Sequence, residues 1–600
     1  MLAAVLRFSG LSWGLRHGAI EAERDFVQSV WEMVAARDLD QRFYEYPGLF
    51  FHLLYVPIAA VQMAGRPEPT AYLVARGVVA AFGVLSVALT FVLGSRLAGP
   101  RLGLLAALFL AVSPLEIETA HRVRTDVVLE AFGLLALLAF RRVGADWRGD
   151  ARAGICLGLA TALKPTGVLL LPSYLLHRHF APGPRATRIA LVGVLALVVV
   201  VALTPYFLIA PQKFLGGAWT QVSYFFAHDQ WAAKVSARPD APSRDTGSGV
   251  VSRPDLILFY LGNVVALLGP AGAVLALAGI VLARRAAPTW LPLLALPLTI
   301  LAVVCSAQIG HARLLVPAGG VLALFAARGL DGLWERWPRA GAALAAIAVA
   351  LPLSTSVTFA RGIARPTPQD QALDWIVGRV PAGARILATP TRLGVDSDRY
   401  NVALAGRRTA GQNRLVAREV DLVVAEPRDP IVEGLTEVYR AEAAVPQAGP
   451  TLGLFVAPAA ARVSYQPVPC RQARLSASAG PEGLPLLVDG DRATVWKMRE
   501  PQPRPWIALE LPAPVRVGRV WLVLRRPLGS ELRLLTSEDG TSWQEPLAAA
   551  FQTTASDPVV LTLLLEPTRA RGLRLEAKRS VPLQWAVSEM GLDAVVDGAP

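Results

Sequence analysis

Acidic side chains in this chain are grouped where they could act together. One group is Glu21, Glu23 and Asp25, inside "GAIEAERDFVQSVWEM". A second is Asp126, preceded by Glu116 and Glu118 in "SPLEIETAHRVRTD". Both groups border apolar sequence, and an ionisable residue at a membrane boundary is costly enough to be a functional candidate. Brought to one side of a membrane, two carboxylates suit transfer of a group to a hydroxyl. One takes the proton while the other orients donor or acceptor, directly or through a divalent metal. On spacing alone, solvated helix capping is the plainer role for these acids, and both roles stay open.

The elements that must position them are set by hydropathy. The chain is 53% hydrophobic and 18% charged, with a mean hydropathy of +0.43. Runs such as "IALVGVLALVVVVALTPYFLIA" (189–210) exceed the roughly 20 residues that cross a bilayer. The fold class expected is a polytopic α-helical membrane protein with further domains after residue 360. Candidate spans fall near 77–95, 103–114, 128–140, 153–163, 166–176, 187–210, 257–283, 289–307, 314–327 and 341–360. The start, "MLAAVLRFSGLSWGL", is too short to span and lacks a signal-cleavage pattern. It reads as the remainder of a truncated first membrane helix.

The net charge of +13 does not point to nucleic acid. Basic residues sit in short connections (Arg96 and Arg101; Arg141, Arg142, Arg148 and Arg152; Arg178, Arg185 and Arg188; Arg284 and Arg285), the pattern of cytoplasmic loops. Both flanks of 153–176 are basic, so that stretch reads as two short helices broken at Lys164-Pro165. The acidic loops, the loop 211–256 and the C-terminus then all face outside. Only three cysteines occur, which disfavours a disulfide framework or a cysteine metal site. His228 and His311 are isolated and read as structural.

Beyond residue 360, "QDQALDWIVGRV" reads as an amphipathic helix, and "ARILAT" and "VDLVVAEP" as buried strands. Residues 361–465 are therefore expected to form a small α/β domain. From residue 470 to 597, "WIALEL", "VGRVWLVLRR", "ELRLLTS", "VVLTLLL" and "GLRLEAK" alternate with turn signals, as in a β-sandwich.

The order of motifs over residues 10 to 380 resembles the GT-C glycosyltransferases, including protein O-mannosyltransferases, aminoarabinose transferases and glycosyltransferase-39-like proteins. "ERDFVQSVWEM" followed by "YEYPGLFFHLL" resembles the family's acidic pair, aromatic and Tyr-Pro run. "HRVRTDVVLEAFGLLAL" resembles its second acidic motif at Asp126, and "GLATALKPTGVLLL" its basic hairpin at Lys164. The resemblance implies transfer from a polyprenyl-phosphate sugar, with residues 1–360 as the transferase domain. It implies Glu23 as base, with Glu21 or Asp25 as alternates, and Asp126 as the orienting acid. Lys164, with Arg76 or Arg313, would hold the donor phosphate; snorkelling is the other role open to Lys164, and plain interfacial anchoring the simpler one for Arg76 and Arg313. Ala22 stands where the family carries its usual acidic base, and this favours a rival reading: a non-catalytic, membrane-anchored glycan-binding protein.

The C-terminal stretches "LVDGDRATVW", "LTSEDGTSW", "ARGLRLEA" and "WAVSEMGL" resemble the discoidin, or F5/8 type C, module. That resemblance implies a jelly-roll sandwich, a sugar platform drawing on Trp496 and Trp543, and calcium near Asp489, Asp491 and Glu589. Core packing is the other role open to the tryptophans. No cofactor is called for beyond these metals. The expected partners are the lipid donor, a glycan, lipid or protein acceptor, and the bilayer. The expected place is a bacterial inner membrane, with the C-terminal domains external.

Overall fold

The computed structural model describes residues 1–17, 21–228, 253–389, 393, 395–396, 399–404, 409–446, 449–458, 463–498, 505–525, 532–552, 559–577 and 585–596. The chain divides into two units, residues 1–15 with 19–365, and residues 16–18 with 366–600.

The first unit is helical. Among the described residues, six helices are long and apolar enough to cross a membrane, or seven if the pair Pro100–Ala111 and Pro114–Ala120, bent by 61°, counts as one. The apolar runs at 128–140 and 153–163 form the shorter helices Thr125–Phe140 and Trp147–Leu163. The second ends where Lys164 turns extended (φ −152°, ψ 136°). The residue before a proline is driven out of the helical region, and Pro165 then opens a 3-10 turn to Leu170, followed by the helix Leu171–Phe180. The helix Arg253–Ala283 breaks at Gly269, whose φ of 75° suits glycine, just before Pro270. Gly279 and Gly329 let the helices Arg253–Ala283 and Gly319–Arg336 pack backbone to backbone; a Cβ on Gly279 would lie 1.9 Å from the Phe325 carbonyl oxygen.

Several helices lie outside the expected spans, among them Pro211–Phe226 in the stretch read as a loop, and two more pack around the first acids. Glu21–Ala36 buries Phe26, Val27, Val30 and Met33, and Leu49–Met63 buries Leu49, Phe50, Phe51, Leu54 and Ile58. Phe26 meets Phe43, Tyr46 and Phe50 edge-on at 5.8, 5.1 and 5.2 Å. The aromatic run after the first acids is thus the packing that fixes their helix.

In the second unit, the helix Pro368–Arg379 starts with a capping box between Thr367 and Asp370. Strands β1 (Arg385–Ala388), β2 (Asn401–Leu404), β3 (Leu422–Ala425), β4 (Thr436–Ala441) and β5 (Leu452–Val456) form one sheet in the order β2-β1-β3-β5-β4. Its first three strands are parallel and the other pairings antiparallel. One face carries Ala372, Ile376 and Ile386; the other carries Leu387, Val416 and Val420, the last two from the helix Ala410–Glu419 and its end.

The remaining strands are β6 (Tyr465–Val468), β7 (Arg474–Ala477), β8 (Trp496–Lys497), β9 (Trp506–Leu524), β10 (Leu532–Ser537), β11 (Ala548–Gln552), β12 (Val559–Ala577) and β13 (Ala586–Val595). They pair antiparallel along β10-β12-β9-β13-β6, with β7 on β9, β8 on β13 and β11 on β12. The separate strands expected at "WIALEL" and "VGRVWLVLRR" are one strand, β9, and "VVLTLLL" and "GLRLEAK" are joined in β12. Register shifts at Leu564/Thr568 and Ala570/Gly572 absorb the turn-like residues between them. Val520, Leu522, Leu561 and Leu563 face the inner core.

Candidate active site

Asp126 lies in the first turn of the helix Thr125–Phe140, where the helix dipole favours an acid. It is 2% exposed. Lys164, freed from helical geometry by Pro165, places Nζ 2.6 Å from Asp126 Oδ1. Arg313, from the 3-10 segment Ala312–Ala318, places Nε 3.6 Å from Oδ2. Arg124 joins them from the residue before the helix. Burial, then the like charges of Arg313 and Arg122, push its guanidinium down to about 10, so it is still a cation at neutral pH. One carboxylate therefore faces three cations.

Beside this group is a cavity of about 110 Å³. Asp126, Lys164 and Thr166 form its polar lining, and Leu129, Leu170, Phe225, Phe226, Leu296, Ile300 and Leu314 are among its apolar walls. A cationic group beside an apolar cavity suits an amphiphile with an anionic head. His311 borders the same group. Its ring stacks on Tyr224 (centroids 6.0 Å apart), its Nε2 lies 3.1 Å from Tyr224 Oη, and its backbone N–H donates to Tyr260 Oη at 3.1 Å. Burial, with Arg313 and Arg124, holds the imidazole down at about 3, so it is neutral at pH 7.

Glu23 is in a different place. Its side chain and that of Arg76 are both fully buried, with Arg76 Nη2 2.7 Å from Glu23 Oε2 and Nε 3.1 Å from Oε1. Glu23 Oε1 also accepts the Val123 N–H at 2.9 Å. Arg76 Nη1 donates to the Leu11 and Trp13 carbonyls, both at 2.7 Å. These contacts correct two expectations. Glu23, with both oxygens engaged and no exposure, is not placed to take a proton from an acceptor. Arg76 neutralises Glu23 and ties down the N-terminal segment, so it is not available to a phosphate. Glu23 instead anchors the loop three residues before Asp126.

Of the alternates, Glu21 has a side chain outside the described residues. Asp25 is half-buried and, two residues on, points to another side of the helix Glu21–Ala36. Glu116 pairs with Arg7, both fully buried, and Glu118 lies 3.6 Å from Arg122. Sequence reasoning passed over Arg124 and Arg7. Arg124 had a signal, an arginine two residues from the motif acid; Arg7, in a short apolar start, had none.

Residues 70–208 match the family of dolichyl-phosphate-mannose-protein mannosyltransferases, and residues 472–589 match the F5/8 type C domain. The chain joins a GT-C family domain to an F5/8 type C domain. Three solved structures illustrate the likeness. ArnT from Cupriavidus metallidurans bound to undecaprenyl phosphate is 15% identical, over 77% of this chain and 98% of that one, with a TM-score of 0.46. The archaeal oligosaccharyltransferase AglB from Archaeoglobus fulgidus, in complex with an inhibitory peptide and a dolichol-phosphate, is 15% identical over 57% of this chain and 54% of its own, with a TM-score of 0.37. CpGH89CBM32-5 from Clostridium perfringens, in complex with GalNAc-β-1,3-galactose, is 21% identical over 21% of this chain and 99% of its own, with a TM-score of 0.19. No curated protein matches the chain in sequence.

In the F5/8 type C domain, the expected ligand residues separate. Trp496 is 1% exposed and donates Nε1–H to the Gly480 carbonyl at 2.9 Å, so it is core and not a sugar platform. Trp543 is 37% exposed and remains on the surface. The residues expected near calcium make contacts with one another and with their own turns. Asp489 accepts from Asp491 N–H and Thr494 Oγ1, Asp491 accepts from Ala493 N–H, and Glu589 Oε2 lies 3.2 Å from Arg492 Nε. These acids shape turns and an ion pair. Among the described residues, no group of three or more His, Cys, Asp or Glu side chains is arranged to hold a metal ion.

Proposed function

We propose that the GT-C domain transfers a sugar from a polyprenyl-phosphate donor to an acceptor hydroxyl on a lipid-linked glycan, a cell-envelope polymer or a protein. The observation that carries this reading is the surplus of cation around Asp126 beside an apolar cavity. The matched family, by its name, uses a lipid-phosphate sugar, and this cavity has the chemistry for such a molecule. Lys164, Arg313 and Arg124 would receive the phosphate, and Asp126 would orient the sugar. The acceptor oxygen forms a bond to the anomeric carbon as the bond from that carbon to the phosphate oxygen breaks. The lipid phosphate leaves with the electron pair, stabilised by the cations. The acceptor proton is assigned to Asp25, one of the two alternates that the resemblance implies for the base. Asp126, ringed by cations, is not a metal-binding arrangement. The reading places the protein in a bacterial inner membrane with this site and the C-terminal unit outside.

The test is incubation of membranes containing the chain with labelled polyprenyl-phosphate sugars. Asp126→Asn and Asp25→Asn should each lower transfer about 100- to 10,000-fold. Lys164→Met should weaken donor binding roughly tenfold to a hundredfold, as loss of a charge-assisted hydrogen bond does. Unchanged transfer in Asp126→Asn and Lys164→Met would sink the site. One observation favours a second reading: Ala22 lacks a carboxylate and Glu23 is sequestered. A parent chain that transfers no label yet binds glycans would be a membrane-anchored glycan-binding protein.

A further inference from the structure

The outer face of the sandwich, away from its core, meets the helix Ala410–Glu419 in a cleft of about 240 Å³. Along β9, Val520 and Leu522 point inward, so Arg519 and Trp521 point into the cleft. Thr562 lies directly opposite Trp521 on β12. Arg385 and Glu419 close the other side.

We propose that this cleft is a binding site for a short, uncharged saccharide, separate from the membrane-domain site and from the loops carrying Asp489 and Trp543. The indole of Trp521 lies against the bare backbone of Gly591, where a Cβ would come within 2.2 Å of the ring. That backing holds the ring as a half-buried platform, and an aromatic face accepts the C–H face of a sugar ring. Polar groups around it are held in place. Arg519 stacks 4.4 Å above Tyr465 and bonds Asp593 at 2.6 Å, while Tyr465 Oη donates to Glu419 Oε1 at 3.0 Å. Donors and acceptors fixed on opposite walls match hydroxyls, which both donate and accept.

Charge decides against an anionic ligand. Arg519 faces Asp593, Arg385 Nε lies 3.6 Å from Asp421, and Glu419 adds another acid, so the cleft holds no surplus cation. Its volume is below the roughly 300–1,000 Å³ of sites for drug-sized ligands, which suits a short saccharide.

The experiment uses the full chain in lipid nanodiscs, with saturation-transfer NMR against lactose, maltose and N,N′-diacetylchitobiose. At least one should give a saturable signal that glucose 6-phosphate does not displace. Trp521→Ala should weaken it about tenfold, the scale of a lost aromatic contact with its burial. Thr562→Val, which keeps the side-chain shape, should weaken it less and should unfold at the wild-type temperature. No signal from any of the three sugars, displacement by glucose 6-phosphate, or an unchanged signal in both variants would overturn the proposal. If Trp521→Ala does not fold, Thr562→Val alone decides. Because binding is read without transfer, failure here is independent of the fate of the transferase reading.

Discussion

Glu23→Gln separates two roles for the first acidic group. The amide keeps the shape of the carboxylate but removes the charge facing Arg76, and both side chains are fully buried. Removing one partner of a buried ion pair costs about 3–5 kcal/mol, because the other charge is left uncompensated. The amide oxygen can still accept the Val123 N–H, so the loss falls mainly on Arg76. If this pair is structural, Glu23→Gln should lower the unfolding temperature of the purified chain in nanodiscs, and activity should fall because the Asp126 loop is released. Arg76→Gln should do the same. The double variant, with two neutral amides able to bond each other, should recover much of the lost stability. Recovery will be partial, since Arg76 also holds the Leu11 and Trp13 carbonyls. A coupling of about 2 kcal/mol or more between the two substitutions would lie within the range for residues in one network. A general base behaves otherwise: transfer drops roughly 100- to 10,000-fold with stability unchanged. Wild-type unfolding of Glu23→Gln, combined with lost transfer that the double variant does not restore, would refute the structural assignment.

His311 gives a pH dependence. Its folded value of about 3 lies below the ordinary 6.5, so the unfolded chain takes up a proton that the folded chain refuses. Its contribution to stability is therefore complete above pH 6.5 and is lost progressively as pH falls toward 3; His311→Gln should flatten a plot of unfolding temperature against pH in that window, and an unchanged slope would refute it. In the C-terminal unit, residues 470–595 should unfold cooperatively, because their inner core is their own, but at a lower temperature than residues 366–600. The larger piece keeps Leu564 and Ala549 buried against Val416 and Val420, and one leucine is worth about 1.5–3 kcal/mol; equal temperatures would show that the shared face adds nothing. An enzyme reporter that folds only outside the cytoplasm should be active when fused after residue 365 and inactive at residue 146, and the reverse would place the cationic site in the wrong compartment.

Hydropathy and turn residues made much of the fold legible. The helix break at Lys164 could be read because a proline dictates the backbone of its neighbour as well as its own. The helix Leu49–Met63 could not be read as one, since Pro57 and a dense aromatic run hide its period. The joined strands β9 and β12 were hidden for the opposite reason: Pro512 and Pro514, or Thr568 to Gly572, look like turns, and only cross-strand pairing shows the strand continuing. In the candidate site, Lys164 and Arg313 were named only through the resemblance, and the structure sets both beside Asp126. The partnership of Glu23 was not, because Arg76 is 53 residues away and sits inside an apolar helix. A motif reports which residue types recur, whereas burial and pairing decide which of them a substrate can reach.

Charge balance carries that distinction further. In a medium where an uncompensated ion costs several kcal/mol, a buried acid with a single arginine has its need met within the fold. Glu23 with Arg76 and Glu116 with Arg7 are of this kind, fully buried on both sides. Asp126 is different. Lys164 alone, at 2.6 Å, would neutralise it, yet Arg313 stands 3.6 Å away and Arg124 is held close enough to feel Arg313's charge. Arg124 is disfavoured as a cation first by burial and then by that company, an unfavourable arrangement that the ion pair of Lys164 with Asp126 does not require. An anion entering beside Asp126 would relieve the repulsion among the three. Under the proposed function, the excess of cations beside the apolar cavity receives a ligand that brings a negative charge and an apolar tail, and this would separate Asp126 from the acids that only hold the helices together.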